Sequence, residues 1–511
     1  MKILSTEEAR SVDHHTSKEL GVSGETLMQK AGKAIVEKAK EMFAGSGSKR
    51  VIVLCGKGNN GGDGFTAAEL LVKEGFDCKL ISTVAQEEIT GDAKIFHDRC
   101  INAGLRIVYE AVSDDFNLSD YDLILDGLLG TGIKGQVRPN TSEWIKAINS
   151  SNVSVLAIDI PSGVNGNSGQ VSGIAVKSDA TVTMGFLKQG IVIEPGASLA
   201  GEISVADIGY PKDAFDILQT DKKLINHTLA KQFLTPPPPD TYKHRQGKVL
   251  IIGGSKGYTG AGCLAAQGAL RAGAGLVIAA VPASLNAIYE SKLTEVITAP
   301  LSDGGSGHFR LDDVDIIEEK LEWCDALIIG PGLGTDDESL NFAEAVVKSS
   351  SKPMVIDADA LRVFHGNLDV FSELKSDFVI TPHHGEAAQL LNLEKEVVSS
   401  DPFNFAFDVW QKTGGTVVLK GAPTLVASGE LISANVTGHR GLATGGSGDV
   451  LSGIIGSFMA QGLTPEVAAR VGVLIHGEAA DILLKKYGFR GLLAGDLLEV
   501  LPTVLSTYEC N

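Results

Sequence analysis

Apolar runs without alternation recur along the chain, and clusters of Gly, Asp, Ser or Pro follow most of them. In the first half the runs are Val51–Cys55, Lys79–Thr83, Leu123–Asp126, Val155–Ile160 and Thr181–Thr183. In the second they are Val249–Gly253, Leu276–Val281, Ala326–Gly330, Met354–Asp357, Phe378–Thr381 and Val417–Lys420. A strand with one wet face alternates, whereas a strand covered on both faces reads as continuous Val, Ile and Leu. Helical patterns lie between the runs, so each half is expected to be a layered α/β domain on a parallel sheet. Ligands of such sheets bind outside the carboxyl ends of the strands, where most of the polar clusters fall.

At 511 residues the chain exceeds what one core usually supports. The clearest break is Thr235-Pro-Pro-Pro-Pro-Asp240, which suits neither a helix nor a central strand. Two domains are expected, 1–222 and 223–511, with a Pro-rich linker near 235–240 opening the second. Leu4 to Phe43 reads as two helices interrupted at Gly21–Gly24; they either pack on the sheet or mediate self-association, and a homo-oligomer is expected. The net charge of −19 and the lack of a basic stripe argue against duplex nucleic acid and anionic membrane as partners. Cys55, Cys78, Cys100, Cys263, Cys324 and Cys510 form no CxxC pair, which argues against zinc and a disulfide framework. The amino terminus turns acidic before an apolar signal segment develops, and no apolar run reaches the roughly 20 residues of a membrane helix. A cytoplasmic location is expected.

Val51–Gly64 runs from an apolar strand into Gly56-Lys57-Gly58-Asn59-Asn60-Gly61-Gly62-Asp63-Gly64, with a helical pattern from Phe65 to Glu74. Glycines admit a ligand close to the backbone, and the amides opening a helix attract anions. The stretch matches G-x-G-x-x-G, but the next strand ends in Ser82-Thr83-Val84-Ala85, without the acidic residue that a dinucleotide fingerprint requires. Asn59, Asn60 and Asp63 instead suit a loop that orients a cation or a reacting hydroxyl. Asp126-Gly-Leu-Leu-Gly-Thr-Gly132, Asp159-Ile-Pro-Ser-Gly163 and Met184-Gly-Phe-Leu-Lys188 follow three further strands. Asn60, Asp126 and Ser162 offer hard oxygen ligands. Asp159 can move a proton, with Lys188 assisting or balancing charge. Any one such Asp, taken alone, is more often a helix cap or turn residue, and Ser162 lacks the G-x-S-x-G setting of a hydrolase nucleophile.

These segments, in this order, resemble the NAD(P)H-hydrate epimerase domain over residues 1–220. The resemblance implies a Rossmann-like fold and a bound K⁺ touched by Asn60, Asp126 and Ser162. It also implies a substrate surface of Asn59, Asn60, Gly61, Gly62 and Asp63, of Gly130, Thr131, Gly132, Ile133, Lys134, Gly135 and Gln136, and of Asp159, the leading candidate for the chemistry.

The second half carries Tyr258-Thr-Gly-Ala261, Gly330-Pro-Gly332-Leu-Gly334, Thr381-Pro-His383-His384-Gly-Glu386, Lys420-Gly421-Ala422-Pro423-Thr424 and Gly446-Ser447-Gly448-Asp449. The small residues opening the helix after Tyr258 suit either a phosphate or tight packing. Amides of Gly446–Gly448 at a helix start form an anion hole for a transferring phosphoryl group, and Asp449 beside them can accept a proton. No G-x-x-x-x-G-K-[ST] occurs, so a Walker loop is excluded. The ordered set resembles the ribokinase-like superfamily and, within it, the ADP-dependent NAD(P)H-hydrate dehydratase. Two departures are Ser447, where Thr is common, and His384, where relatives often carry Pro.

By that resemblance Lys420–Thr424 and Gly448 hold the adenine nucleotide, while Ala261, Gly332 or Gly334, His383 and Asp449 hold the hydrated nicotinamide. His383 also reads as a residue that only fixes its turn. The implied whole is metabolite repair: the first domain interconverts R and S hydrates (NADHX, NADPHX), and the second dehydrates the S form with ADP and Mg²⁺. Two alternatives are a ribokinase-like small-molecule kinase fused to a nucleotide-binding module, and a non-catalytic scaffold.

Overall fold

The computed structural model describes residues 1–43, 49–109, 117–133 and 135–509. The chain forms two units, Met1–Asp221 and Lys222–Asn511. The proline run at 235–240 lies inside the second unit, after its first strand and helix. The residues before it already belong there: Asp221–Leu224 forms an edge strand of the second sheet and His227–Phe233 a helix.

In the first unit Thr6–Lys18 (α1) and Gly24–Met42 (α2) precede the strand Arg50–Cys55 (β1) and the helix Asn59–Lys73 (α3). Six strands follow: Asp77–Ser82 (β2), Ile107–Tyr109 (β3), Leu123–Gly127 (β4), Ser154–Ile158 (β5), Ala180–Met184 (β6) and Glu202–Ala206 (β7). All pair in parallel in the order β3-β2-β1-β4-β5-β6-β7. Val51, Val53 and Cys55 of β1 enter a core shared with α2 and Phe65, while Ile52 and Leu54 enter another around Trp144, Ile145 and Ile148. Both faces are therefore covered, which is why β1 reads as an unbroken apolar run. The order reverses at β1 and β4, whose carboxyl ends flank a crevice.

Two local expectations change. The stretch Asn59–Gly64 is not a loop but the start of α3, capped by Gly58. Its glycines serve close packing: a Cβ on Gly61 would lie 2.0 Å from the Gly56 carbonyl oxygen, and one on Gly62 2.6 Å from Met28 Sδ. The run Val155–Ile160 ends as a strand at Ile158, because Asp159 adopts φ 65° and turns the chain.

The second unit holds a ten-stranded sheet. Its strands are Asp221–Leu224 (β8), Lys248–Ile252 (β9), Leu276–Pro282 (β10), Ile297–Leu301 (β11), Ala326–Ile329 (β12), Met354–Ile356 (β13), Phe378–Ile380 (β14), Thr416–Leu419 (β15), Thr424–Ser428 (β16) and Leu431–Asn435 (β17). The order is β8-β17-β16-β15-β14-β13-β12-β9-β10-β11. From β9 to β15 every pairing is parallel; β15–β16 and β16–β17 are antiparallel, so the sheet is mixed rather than parallel throughout. Strand order again reverses beside β9. Helices Thr259–Arg271 (α4), Ser447–Ala460 (α5) and Pro465–Tyr487 (α6) contribute to the core. Among the described residues no helix is long and apolar enough to cross a membrane. Cys55, Cys78, Cys100, Cys263 and Cys324 are free thiols, and Cys510 lies outside the described residues.

Candidate active sites

At the switch point of the first sheet lies a cavity of about 910 Å³. Asn59, Asn60 and Asp63 from α3 line it, with Gly130, Thr131, Gly132, Ile133 and Gln136 after β4, Asp159 after β5 and Lys188 after β6. Gly61, Gly62 and Gly135 are not part of its lining, the first two because they face neighbouring backbone and side chain. Lys134 lies outside the described residues.

Asp159 and Lys188 meet directly. Lys188 Nζ pairs with Asp159 Oδ1 and also donates to Thr183 Oγ1 (3.1 Å) and the Met184 carbonyl (3.0 Å). Asp159 Oδ1 further accepts from Thr183 Oγ1 and the Met184 amide, both at 3.1 Å. Lys188 is buried, with Nζ 4.6 Å from the centre of the Phe186 ring. Burial, reinforced by the charge of Asp159, pushes the Asp63 carboxyl well above the ordinary range. One cavity thus holds an acid whose burial favours the protonated form and a second acid tied to an ammonium, and such pairs divide acid and base roles.

Of the three oxygen-bearing side chains only Asn60 lines the cavity; Asp126 and Ser162 are fully buried and outside its lining. Ser162 donates its amide to Asp126 Oδ2 (2.8 Å) and its hydroxyl to Asp126 Oδ1 (2.6 Å). Leu129 links them to Asn60: its amide donates to Ser162 Oγ (2.8 Å) and its carbonyl accepts from Asn60 Nδ2 (2.8 Å). Asp126 is fully buried, and burial raises its carboxyl to about 6 against the hydrogen bonds from Ser162. Asn60 Oδ1 is buried and has no hydrogen-bond partner among the described residues. An acceptor left open beside a buried carboxylate fits a cation, since buried polar atoms are rarely orphaned without cause.

In the second unit the predicted residues gather at the carboxyl ends of β9, β12, β14 and β15. Gly332 takes φ 60°, and a Cβ there would lie 2.9 Å from both Ala261 Cβ and Tyr258 Cβ, so the loop rides directly on the start of α4. The Gly334 amide donates to Asp359 Oδ2 (3.0 Å). His383 does fix its turn: Nδ1 accepts from the Gly385 and Glu386 amides, both at 3.0 Å, while Glu386 Oε2 accepts from the His383 amide (2.8 Å). The His383 side chain is still 59% exposed, leaving room for a ligand.

Lys420 continues β15, bridging His383 in parallel. Its Nζ donates to Asp357 Oδ1 (2.9 Å) and lies 4.0 Å from Glu386 Oε2. A methyl group on Gly448 would stand 3.4 Å from that Nζ, which brings α5 and β15 to one point. Gly421 and Ala422 are exposed, Pro423 is buried, and Thr424 Oγ1 donates to the Gly421 carbonyl (3.1 Å). Asp449 occupies the first turn of α5. Burial raises its carboxyl to about 7, the charge of Asp357 adds to the effect and Lys420 opposes it. A carboxyl poised near neutrality beside helix-start amides and an ammonium suits general-base catalysis of an attack on phosphorus.

A family model described as NAD(P)H-hydrate dehydratase matches residues 249–503, and one described as YjeF-related protein N-terminus matches 24–190. The bifunctional NAD(P)H-hydrate repair enzyme of Moorella thermoacetica is 36% identical over 100% of this chain and 97% of its own length. The chain belongs to the bifunctional NAD(P)H-hydrate repair enzymes. The Escherichia coli member of this repair family is 35% identical over 95% of the chain and 90% of its own length. Among solved structures, a ribokinase-like superfamily protein from Enterococcus faecalis is 25% identical with a TM-score of 0.50, covering 57% of this chain and 97% of its own.

Repair-enzyme motifs read along the sequence left several side chains of these sites unassigned. Asp357 is buried; burial works against its ionisation, and the Lys420 ammonium with the Ser452 hydroxyl (2.6 Å to Oδ2) holds it below the usual range. Ser452 stands three residues beyond Asp449, on the same helix face, so the spacing offered a signal. His476, on α6, donates from Nε2 to the Ser447 carbonyl (3.0 Å); burial lowers its pKa to about 4, and the neutral ring anchors the start of α5. Asp13 and Tyr210 line the first cavity from far along the chain, and nothing local in the sequence announces them.

Proposed function

We propose that the first unit interconverts the R and S epimers of hydrated NAD(P)H, and that the second dehydrates the S epimer while converting ADP to AMP and phosphate. In the second unit Asp449 takes the proton of the C6 hydroxyl as its oxygen attacks the β-phosphorus of ADP. Helix-start amides at Gly446–Gly448 stabilise the transferring oxygens, and Lys420 balances charge on the departing AMP. The C6–O bond then breaks as the ring nitrogen forms N1=C6. Loss of a C5 proton restores the dihydronicotinamide and completes the balance. The carrying observation is the placement of Asp449, poised near neutrality between Lys420 and the amino terminus of α5.

Lys420–Thr424 and Gly448 receive the nucleotide; Ala261, Gly332, Gly334 and His383 receive the hydrate. Mg²⁺ entering on the nucleotide phosphates supplies counter-charge. Among the described residues no group of three or more His, Cys, Asp or Glu is placed for a metal, which suits an ion held mainly by substrate phosphates.

In the first unit the acid of the Asp63–Asp159 pair protonates the departing C6 hydroxyl as N1=C6 forms. Water returns to the opposite face and the base takes its proton, with Lys188 holding Asp159 in place. Asn59, Asn60, Asp63, Gly130, Thr131, Gly132, Ile133 and Gln136 form the substrate surface. Asn60, Asp126 and Ser162 would hold K⁺, which would supply fixed positive charge there; the open Asn60 Oδ1 supports this assignment.

The test is incubation of mixed epimers with ADP or ATP. Full recovery of reduced-nicotinamide absorbance, with one AMP and one phosphate per molecule repaired with ADP, is expected. Accumulation of a stable phosphorylated product in place of reduced coenzyme would point instead to a kinase.

A further inference from the structure

The amino-terminal segment has no part in the chemistry described so far, yet it is built into the first site. Ile3 and Leu4 pair in parallel with Leu187 and Lys188, and the Leu187 amide donates to the Lys2 carbonyl (3.0 Å). Helix α1 starts at Thr6, capped reciprocally by Ser5 and Glu8. Two turns along it, Asp13 reaches the cavity wall, where its Oδ1 accepts the hydroxyl hydrogen of Tyr210.

Tyr210 in turn covers the turn that holds the reacting pair. Its ring packs against Phe186 (5.6 Å between centres) and Phe215 (6.0 Å). Gly185 takes φ 71°, and a Cβ there would sit 2.3 Å from the Tyr210 ring. Immediately before it, the Met184 amide fixes Asp159 and the Met184 carbonyl fixes Lys188. An unbroken line of contacts therefore runs from Asp13 through Tyr210 and this turn to Asp159 and Lys188.

We propose that Asp13 is a positioning residue for epimerisation, acting through the Tyr210 hydroxyl and the 184–186 turn on the Asp159–Lys188 pair; this rests on the reading of that pair given above. Its charge matters as well as its hydrogen bond. The charged and titratable groups facing Asp13 are Lys188, Asp159 and Asp63 across the cavity, with the Tyr210 hydroxyl on its carboxylate, and Arg10 and His14 line the cavity from its own helix. Burial, and then the Asp13 carboxylate, raise the Tyr210 phenol, so Tyr210 remains a donor over the working range.

The experiment uses the full chain with Asp13→Asn, Tyr210→Phe and Asp159→Asn. Epimerisation of the R hydrate is followed without ADP across pH, and dehydration of the S hydrate with ADP is measured on the same samples. Asp13→Asn and Tyr210→Phe are each expected to lower kcat for epimerisation roughly tenfold with KM changed by less than about threefold. The Asp13 charge is one of the repulsions that hold the Asp63 carboxyl up, so removing it moves the basic limb of the Asp13→Asn profile to lower pH. Dehydration stays at the parent rate. If both variants keep the parent kcat and profile while Asp159→Asn is inactive, this inference fails and the assignment of the pair stands. If Asp159→Asn itself epimerises at the parent rate, the assignment of the pair fails. Should Asp13→Asn also lose dehydration through misfolding, Tyr210→Phe, which removes a single oxygen, decides the matter.

Discussion

Asp449 is buried where a carboxylate is disfavoured, and the same burial makes it useful. Its folded pKa of about 7 lies above the ordinary 3.8, so between these values the folded state binds more protons than the unfolded one. Stability therefore falls as pH rises through that window, and the penalty is complete above it. Asn carries no charge at any of these pH values. Asp449→Asn is expected to stabilise the second unit by about 2 kcal/mol near pH 8 and not at all near pH 4, while dehydratase turnover disappears. Denaturant unfolding at the two pH values measures this; equal stability at both would contradict it. Lys420 makes the opposite case. Lys420→Met strands the buried Asp357 carboxylate, which should destabilise by about 3 kcal/mol at neutral pH. The deficit should shrink toward pH 5 as Asp357 takes up a proton, and a pH-independent loss would speak against the ion pair. Both Asp357 and Asp449 stood in the sequence as acids beside turns. Only tertiary contact reveals which ammonium each one faces.

Helix α3 shows how glycines that suggest a loop can instead serve close packing within a helix. Their density suggested a loop, yet the chain is helical from Asn59 and the missing side chains permit close approach. Ala normally improves a helix over Gly by about 1 kcal/mol. At Gly61 the added methyl would lie 2.0 Å from backbone oxygen, so Gly61→Ala should instead destabilise by roughly 2 kcal/mol and weaken epimerisation. Gly58 has nothing within 4 Å of its Cβ direction, and Gly58→Ala should stay within about 0.5 kcal/mol of the parent. Thermal unfolding of the two variants separates them; equal losses would refute the packing account. Strands buried on both faces, such as β1 and β12, were legible because nothing polar interrupts them. Ile107–Tyr109 and Glu202–Ala206 were not, because they lie at the two edges of the sheet and are only partly buried. The hairpin β16–β17 was also missed, although its two-residue loop Gly429-Glu430, with Gly429 at φ 61°, is a recognised hairpin signal.

Across the chain each unit repeats one solution: a sheet whose strand order reverses, with a carboxylate, an ammonium and a helix amino terminus at the carboxyl edge. The sequence carried the order of the motifs, and hence the family. Four prolines make a conspicuous punctuation, but strand β8 and the helix at 227–233 join the second unit before them. The central claim is a division of labour in which Asp159 and Asp449 act in turn on one damaged coenzyme. Its most direct test is pure R hydrate supplied with ADP, with epimer composition and recovered reduced coenzyme followed together. The parent should restore all of it. Asp159→Ala should leave R hydrate changing only at its spontaneous rate while still clearing added S hydrate, and Asp449→Asn should equilibrate R and S without producing reduced coenzyme. Rapid repair of R hydrate by Asp159→Ala, or formation of reduced coenzyme by Asp449→Asn, would contradict the claim.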